Sequence, residues 1–496
     1  MTFPKFKDEF LKKIGDIFLS NKEKYGEIFL VGGYIRDSLI NKESHDLDFL
    51  VSKNSALAAK CIADSFGGVF YLLDHRRQTA RAIIKNNNSR MVIDVAVIAG
   101  RTIFDDLAHR DFSINAIAVN LQDLENIIDP LNGVQDLNQK VLRPCSITSF
   151  SDDPVRVLRA VRFIREYSLS INEGNKKLIK QAANQIGRPS VERIRDALCQ
   201  IFNIEDVNAT LQLLIELGIF KELFSELMPL KSILASPPHI DNAFSHSLQV
   251  SSHLHEIIRS IYLETWFNDS SLYRDIKQLT KNFGVELTQF LKNYGISFDL
   301  ILPLMVMSAL YHDIGKTVVR SEIRNNKVTY PNHAEKSTRI VREKMKAFAF
   351  SNQEISLAST VVRHHMDAEL KNSDFEEPAR AIHRYFKNCG NVGIFTVFFH
   401  LADLISTYGS SMPTKRWNLA LKSAENLLNG WFTQYNMIVS PPTLIDGNDL
   451  MDIFSLAPGR EIGVIINRIK EEQAANTICD RKSAIKFVEE NMKLKR

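Results

Sequence analysis

The chain has 496 residues, 45% of them hydrophobic and 24% charged, with a net charge of only +4. That length exceeds what one hydrophobic core serves, so several domains are expected. The small net charge requires any nucleic-acid surface to be local, and the five scattered cysteines, without a CxxC pair, argue against a zinc ribbon or a disulfide framework.

The opening stretch MTFPKFKDEFLKKIGDIF is amphipathic and carries mixed charge, with no signal-peptide core. No apolar run approaches the ~20 residues of a membrane-spanning helix. Together these lead us to expect a cytoplasmic protein with no membrane partner. Residues 1–145 read as an α/β head. Three strand-like runs, IFLVGG from Ile28, HDLDFLV from His45 and MVIDVAVI from Met91, are separated by helix-like stretches. Residues 146–230 are charged amphipathic helices, a neck that ends at the Pro-Pro joint in LASPPHIDNAF. A histidine-bearing helical region occupies 231–415. A helical tail fills 416–496, with Arg468, Lys470, Arg481, Lys482 and Lys486 offering either RNA contacts or a solvated face.

The head carries the densest chemistry. Asp46 and Asp48 are two apart on a strand, so both carboxylates leave the same face. Paired carboxylates repel unless a cation neutralises them, and Mg²⁺ suits such a pair together with substrate phosphates. Asp94, in the middle of an apolar strand, is the candidate third ligand. Two metals held this way can activate a 3′-hydroxyl and steady a leaving pyrophosphate. Gly32 and Gly33 end one strand where a helix opens, letting backbone N–H groups approach phosphate, with Arg36 one turn on as a triphosphate clamp.

These segments resemble the bacterial-type tRNA nucleotidyltransferase and poly(A) polymerase family, within the polymerase-beta-like superfamily. The family's GGxVRD turn, DxD pair, RRDFTINA segment, DPxxGxxDL stretch and EDPxRxLR helix have counterparts beginning at Gly32, Asp46, His109, Asp129 and Asp152. The resemblance implies an α+β protein: a polymerase-beta-like head followed by an all-helical neck, an HD-type domain and a helical tail. It implies metal binding at Asp46 and Asp48, and nucleotide contacts at Arg110, Asp111 and Asn115. In the neck, Asp153 and Arg156 would read the base edge of CTP or ATP, the carboxylate accepting from an exocyclic amine and the guanidinium donating to ring acceptors. An N-cap at Asp153 followed by Pro154 remains the alternative. Arg159 and Arg162 continue a basic stripe suited to acceptor-stem phosphates or to solvent. The RPSVERIRDAL segment, with Ser190, Glu192 and Arg193, is expected to support this helix. His109 departs from the family's first arginine, and Asp152 from its glutamate. The span from Asp94 to Arg110 is short, which implies a trimmed loop and leaves complete CCA synthesis open.

The histidine region contains the set His246, His312-Asp313, His333, His364 and Asp403. Mixed histidine and carboxylate ligands suit Mn, Fe, Ni, Co or Zn. The pattern resembles the HD phosphohydrolase superfamily, with Lys316 placed to hold a phosphate. His239 is expected to pack in the Pro-Pro joint, and His365, next to His364 on a helix, to point away from it. The implied function is template-independent addition of C, A or both to tRNA 3′ ends from CTP and ATP. A poly(A) polymerase, or a phosphohydrolase or 2′,3′-cyclic phosphodiesterase, stands as the alternative.

Overall fold

A computed structural model describes residues 9–493 except 45, 76–77, 87–88, 234–237, 239, 325–326 and 371–377. The calls on His45 and His239 therefore lie outside the described residues. The chain divides into two compact units, one of residues 1–197 with 213–223 and the other of 198–212 with 224–496.

In the first unit, alternation decides which side chains share a face. Strands β1 (Ile28–Val31), β2 (Asp46–Val51), β3 (Val69–Asp74), β4 (Thr79–Asn86), β5 (Ser89–Val97), β6 (Ala118–Asn120) and β7 (Asp123–Ile128) form one sheet in the order β3-β4-β5-β2-β1-β6-β7. Only β2 and β5 pair in parallel. Leu47, Phe49 and Val51 are fully buried against helices α1 (Glu9–Ser20) and α2 (Ser55–Ser65), through residues such as Phe18, Ala59 and Ile62. Period two then sends Asp46 and Asp48 to the opposite face, and a one-residue slip would bury both carboxylates in that core. The opposite face has its own smaller core of Phe29, Val31, Leu50 and Ala118, covered by Ile103 and Leu107 of helix α3 (Ile103–Ala108).

The sequence reading placed helix-like stretches between the three strand runs; the structure instead makes 69–86 a hairpin of β3 and β4. Ala80, Ala82 and Ile84 alternate inward there, a period-two signal diluted by the two small alanines. Beyond the sheet, helix α4 (Arg156–Glu166) buries Val157, Leu158, Ala160, Val161 and Phe163 and leaves Arg156, Arg159 and Arg162 on its polar side.

The second unit is helical. Its centre packs α5 (Ala243–Leu263), α6 (Phe298–Tyr311), α7 (His333–Ala347), α8 (Asn352–His364) and α9 (Gly393–Tyr408) on one another. Two stretches, Phe298–Thr317 and Pro378–Ser411, are long and apolar enough to cross a membrane, contrary to the expectation from sequence. Each is 83% buried inside the unit, so both serve as core helices. The tail segments Gly447–Phe454, Arg460–Ala474 and Arg481–Lys493 close a small core of Ile445, Leu450, Ile469, Ile478 and Val488. Arg481 there forks onto Asp449 at 2.5 and 3.0 Å, so its charge is internally paired.

Candidate functional sites

The head site grows out of a cross-strand row. Asp48 on β2 lies opposite Asp94 on β5, and Val31 of β1 flanks Asp48 on the other side. Asp46 is exposed and Asp48 half-buried. Burial pushes the Asp48 carboxyl up to about 6; the nearby Arg110 opposes this, while the charges of Asp94 and Asp46 add to it. Asp48 and Asp94 are cross-strand neighbours with Asp46 two residues before, carboxylates of the type that a divalent cation can draw together. Gly32 sits at φ +77°, and a Cβ there would stand 3.0 Å from Arg110 Nη1 and 3.4 Å from Asp48 Oδ2. The glycine thus admits the guanidinium to the carboxylate face. Its own N–H donates to Ile117 O at 3.1 Å.

Beside the carboxylates, a groove of about 860 Å³ is lined by Leu50, Thr79, Ala96, His109, Arg110 and Arg156, among others. Leu50 and Ala96 are each two residues past Asp48 and Asp94, so the groove floor continues the carboxylate face.

Arg36, expected to clamp the triphosphate, is engaged within the protein in this structure. It is 5% exposed, and its guanidinium donates to Asp37 Oδ1 (2.8 Å), Asn115 Oδ1 (2.6 Å) and Tyr167 OH (2.5 Å). It also lies 4.4 Å over the Tyr167 ring. Asn115 in turn donates to Asp111 Oδ1 at 3.0 Å, and the Phe112 amide shares that oxygen. Arg159 takes the other oxygen of Asp111 at 2.6 Å. Burial opposes ionisation of Asp111, yet Arg159 and Asn115 outweigh it and hold the carboxyl below its usual range. Asp111, Asn115 and Arg36 are therefore a buried relay tying the glycine turn to the neck helix. Tyr167, which no motif marked, completes it.

The basic stripe is likewise committed within the protein. Arg156 donates to the carbonyls of His109 (2.8 Å) and Arg110 (3.2 Å) and to Ser149 Oγ (2.8 Å). Arg162 pairs with Glu166 at 2.9 Å. Asp153 is no N-cap: it ends the turn Ser149–Asp152 and is clasped by Arg193 at 2.6 and 3.2 Å. The stretch from Asp129 to Leu137 is scaffold. Asp129 accepts from the amides of Gly133 and Val134, and a Cβ on Gly133 would meet Ser113 O at 2.1 Å.

The second candidate site lies in the other unit. His246 Nε2 is 2.9 Å from Asp403 Oδ1, and His312 Nε2 is 3.3 Å from Asp313 Oδ2 and 3.8 Å from Asp403. His333 Nε2 stands 3.3 Å from Asp313 Oδ1. His312, His333 and His365 each bond through Nδ1 to the carbonyl three residues earlier, at 2.7–2.8 Å. With Nδ1–H so engaged, Nε2 carries the lone pair turned inward, the arrangement metal-binding histidines use. Ligand atoms of His246, His312 and Asp403 lie within 4.8 Å of one another, as do those of His312, Asp313 and His365. Burial opposes the charges of Asp313 and Asp403, but the surrounding histidines, and Lys316 at Asp313, hold both carboxyls low. Lys316 sits 2.5 Å from Asp313.

The two adjacent histidines take different directions. His364 turns outward to Asp367 at 2.7 Å, while His365 is 3% exposed with its ring centroid 5.1 Å from that of His312. Ala358, Val361 and Val362 are buried on α8, and the same face three and seven residues on falls at position 365. That spacing was the available signal. Gly315 has a structural reason too, since a Cβ would meet His333 O at 2.1 Å.

Comparison with known proteins follows the same division. Residues 28–143 match the poly A polymerase head domain, 168–231 the probable RNA and SrmB- binding site of polymerase A, and 243–387 the HD domain. A CC-adding tRNA nucleotidyltransferase of Geobacter sulfurreducens is 37% identical over 36% of this chain, a match that spans 40% of that relative's length. An A-adding tRNA nucleotidyltransferase of Deinococcus radiodurans is 25% identical over 93% of this chain and 94% of its own. The fold resembles a CCA-adding enzyme in complex with CTP, with a TM-score of 0.62, 20% identity and 99% coverage of both chains. It also resembles a Thermotoga maritima CCA-adding enzyme complexed with tRNA, with a TM-score of 0.56, 21% identity and coverage of 98% and 97%.

Proposed function

We propose that this chain is a member of the tRNA nucleotidyltransferase and poly(A) polymerase family with an HD domain, and that it adds C, A or both to the 3′ end of tRNA from CTP and ATP in the cytoplasm. The observation that carries the reading is the cross-strand row of Asp48 and Asp94, with Arg110 Nη1 and Asp48 Oδ2 both against the Gly32 turn and, two residues further along each strand, Leu50 and Ala96 lining the groove that Arg110 and Arg156 share. Asp46 and Asp48, with Asp94 as third carboxylate, would hold Mg²⁺, which would supply Lewis acidity for attack of a 3′-hydroxyl on the α-phosphate with pyrophosphate leaving. Arg110, beside Asp48, meets the triphosphate. Asp111, Asn115 and Arg36 act as positioning groups, because their hydrogen-bonding atoms are spent on one another. Gly32 and Gly33 keep the turn close enough for phosphate to approach. Asp153 and Arg156 read the base edge after exchanging their present partners, Arg193 and the carbonyls of His109 and Arg110. Arg159 and Arg162 border the path of the acceptor strand.

The test is extension of tRNA transcripts ending before C74, after C74 and after C75, with CTP or ATP. Loss of all extension in Asp46→Ala/Asp48→Ala is expected, and the ladder identifies which nucleotides are added. Equal extension by that variant would refute the assignment, and long A tracts would move it to poly(A) synthesis.

The nested histidine cluster favours a second, HD-type phosphohydrolase activity using Mn, Fe, Ni, Co or Zn. His246, His312, Asp313, His333, His365 and Asp403 are the ligands, and Lys316 faces the phosphate. Hydrolysis of a 2′,3′-cyclic phosphate that survives His312→Ala/Asp313→Ala would remove this assignment.

A further inference from the structure

No motif points to Arg81, yet it extends the carboxylate row by one strand. Arg81 on β4 lies opposite Asp94 on β5, as Asp94 lies opposite Asp48 on β2. Its guanidinium grips Asp94 as a fork, Nε to Oδ1 and Nη2 to Oδ2, both at 2.7 Å. Both oxygens of the third carboxylate are therefore occupied, from the side away from Asp48. Among the described residues neither Asp46 nor Asp48 is held in such a fork. The pair is reachable, with side chains 34% and 25% exposed, so an arriving cation competes for Asp94 directly. Bidentate, charge-assisted pairs of this kind are among the stronger side-chain contacts.

We propose that Arg81 is a positioning residue for the head's metal centre: it sequesters Asp94 while nucleotide is absent and yields it when a nucleotide-bound cation enters. In the resting protein Asp46 and Asp48 then remain as the open pair, and the guanidinium both blocks the third ligand and repels a second divalent ion. Entry of a nucleotide triphosphate brings negative charge that offsets the repulsion, and the carboxylate exchanges its fork for the metal. The device rests on the two-carboxylate reading of the head and adds an order of assembly to it: nucleotide first, complete metal set second.

The test is Mn²⁺ binding to the full chain followed by electron paramagnetic resonance, without nucleotide. Asp46→Asn/Asp48→Asn defines the ions held elsewhere, which are subtracted. Removing one positive charge a few ångströms from a divalent ion should tighten head binding in Arg81→Gln by about tenfold. Arg81→Lys, with one contact in place of two, should fall between Arg81→Gln and wild type. Arg81→Gln/Asp94→Asn should return to the wild-type value or weaker, and saturating CTP should shrink the difference between Arg81→Gln and wild type. A structural defect would loosen metal binding instead, so tightening is a readout that mere packing does not produce. Unchanged or weaker binding in folded Arg81→Gln overturns the proposal, as does equal tightening without Asp94. If wild type and Asp46→Asn/Asp48→Asn bind alike, the head metal centre itself fails, and that result is distinct from a failure of Arg81 alone.

Discussion

Replacing Arg36 separates the two roles this residue has been given. As a phosphate clamp it would face ligand; in the structure it is 5% exposed and bonded to Asp37, Asn115 and Tyr167. Arg36→Met keeps most of the volume and removes the charge, which strands the buried Asp37 carboxylate. Breaking a buried pair from one side costs about 3–5 kcal/mol, and loss of the guanidinium over the Tyr167 ring adds roughly 1 kcal/mol. For a unit of this size each kcal/mol lowers Tm by about 2–4 °C, so a fall on the order of 10 °C is expected. Differential scanning calorimetry, with CTP affinity measured in parallel below the transition, provides the assay. Asp37→Asn/Arg36→Met removes both partners and should recover part of the loss, because the stranded charge is gone. If Arg36→Met melts like wild type while CTP binding weakens tenfold or more, the scaffold account is refuted and the clamp reinstated.

Three further outcomes follow from the second unit. His365→Ala should abolish tight metal retention, measured by inductively coupled plasma mass spectrometry after dialysis, whereas His364→Ala should leave it intact; the reverse ranking would restore the sequence assignment. Gly315→Ala drives a methyl into the His333 carbonyl, 2.1 Å away, and should destabilise this unit by about 2–3 kcal/mol in urea melts, consistent with forced overpacking. Burial depresses both His253 and His255 from 6.5 to about 4. The unfolded chain takes up protons near pH 6.5 that the folded chain refuses until about pH 4, so this stability is intact above 6.5 and lost as pH falls towards 4. At roughly 1.4 kcal/mol per pKa unit, the loss approaches about 3 kcal/mol per histidine. Thermal melts from pH 7.5 to 4.5 should show the decline, and His255→Leu should flatten it relative to wild type.

The sequence by itself determined the chemistry and the faces. Alternation in Asp46–Val51 set the carboxylates opposite the buried Leu47, Phe49 and Val51, because a strand has period two whatever it packs on. The Gly32 turn, the segment from Arg110 to Ala116 and the His312-Asp313 pair stood out as local patterns, though not the partners each would take. What the sequence left undecided was partnership. Arg36 and Arg159 look like free cations in a string of letters, and only long-range packing assigns them to Asn115 and Asp111. The antiparallel β4–β5 pairing brings Arg81 beside Asp94, 13 residues apart, a juxtaposition that depends on the strand register. His364 and His365 differ by a single residue, about 100° around a helix, and the apolar core under α8 decided which of them faces the cluster. Tertiary structure makes these choices because a buried charge must find a partner or forgo burial, and the partner's distance along the chain does not matter to that requirement.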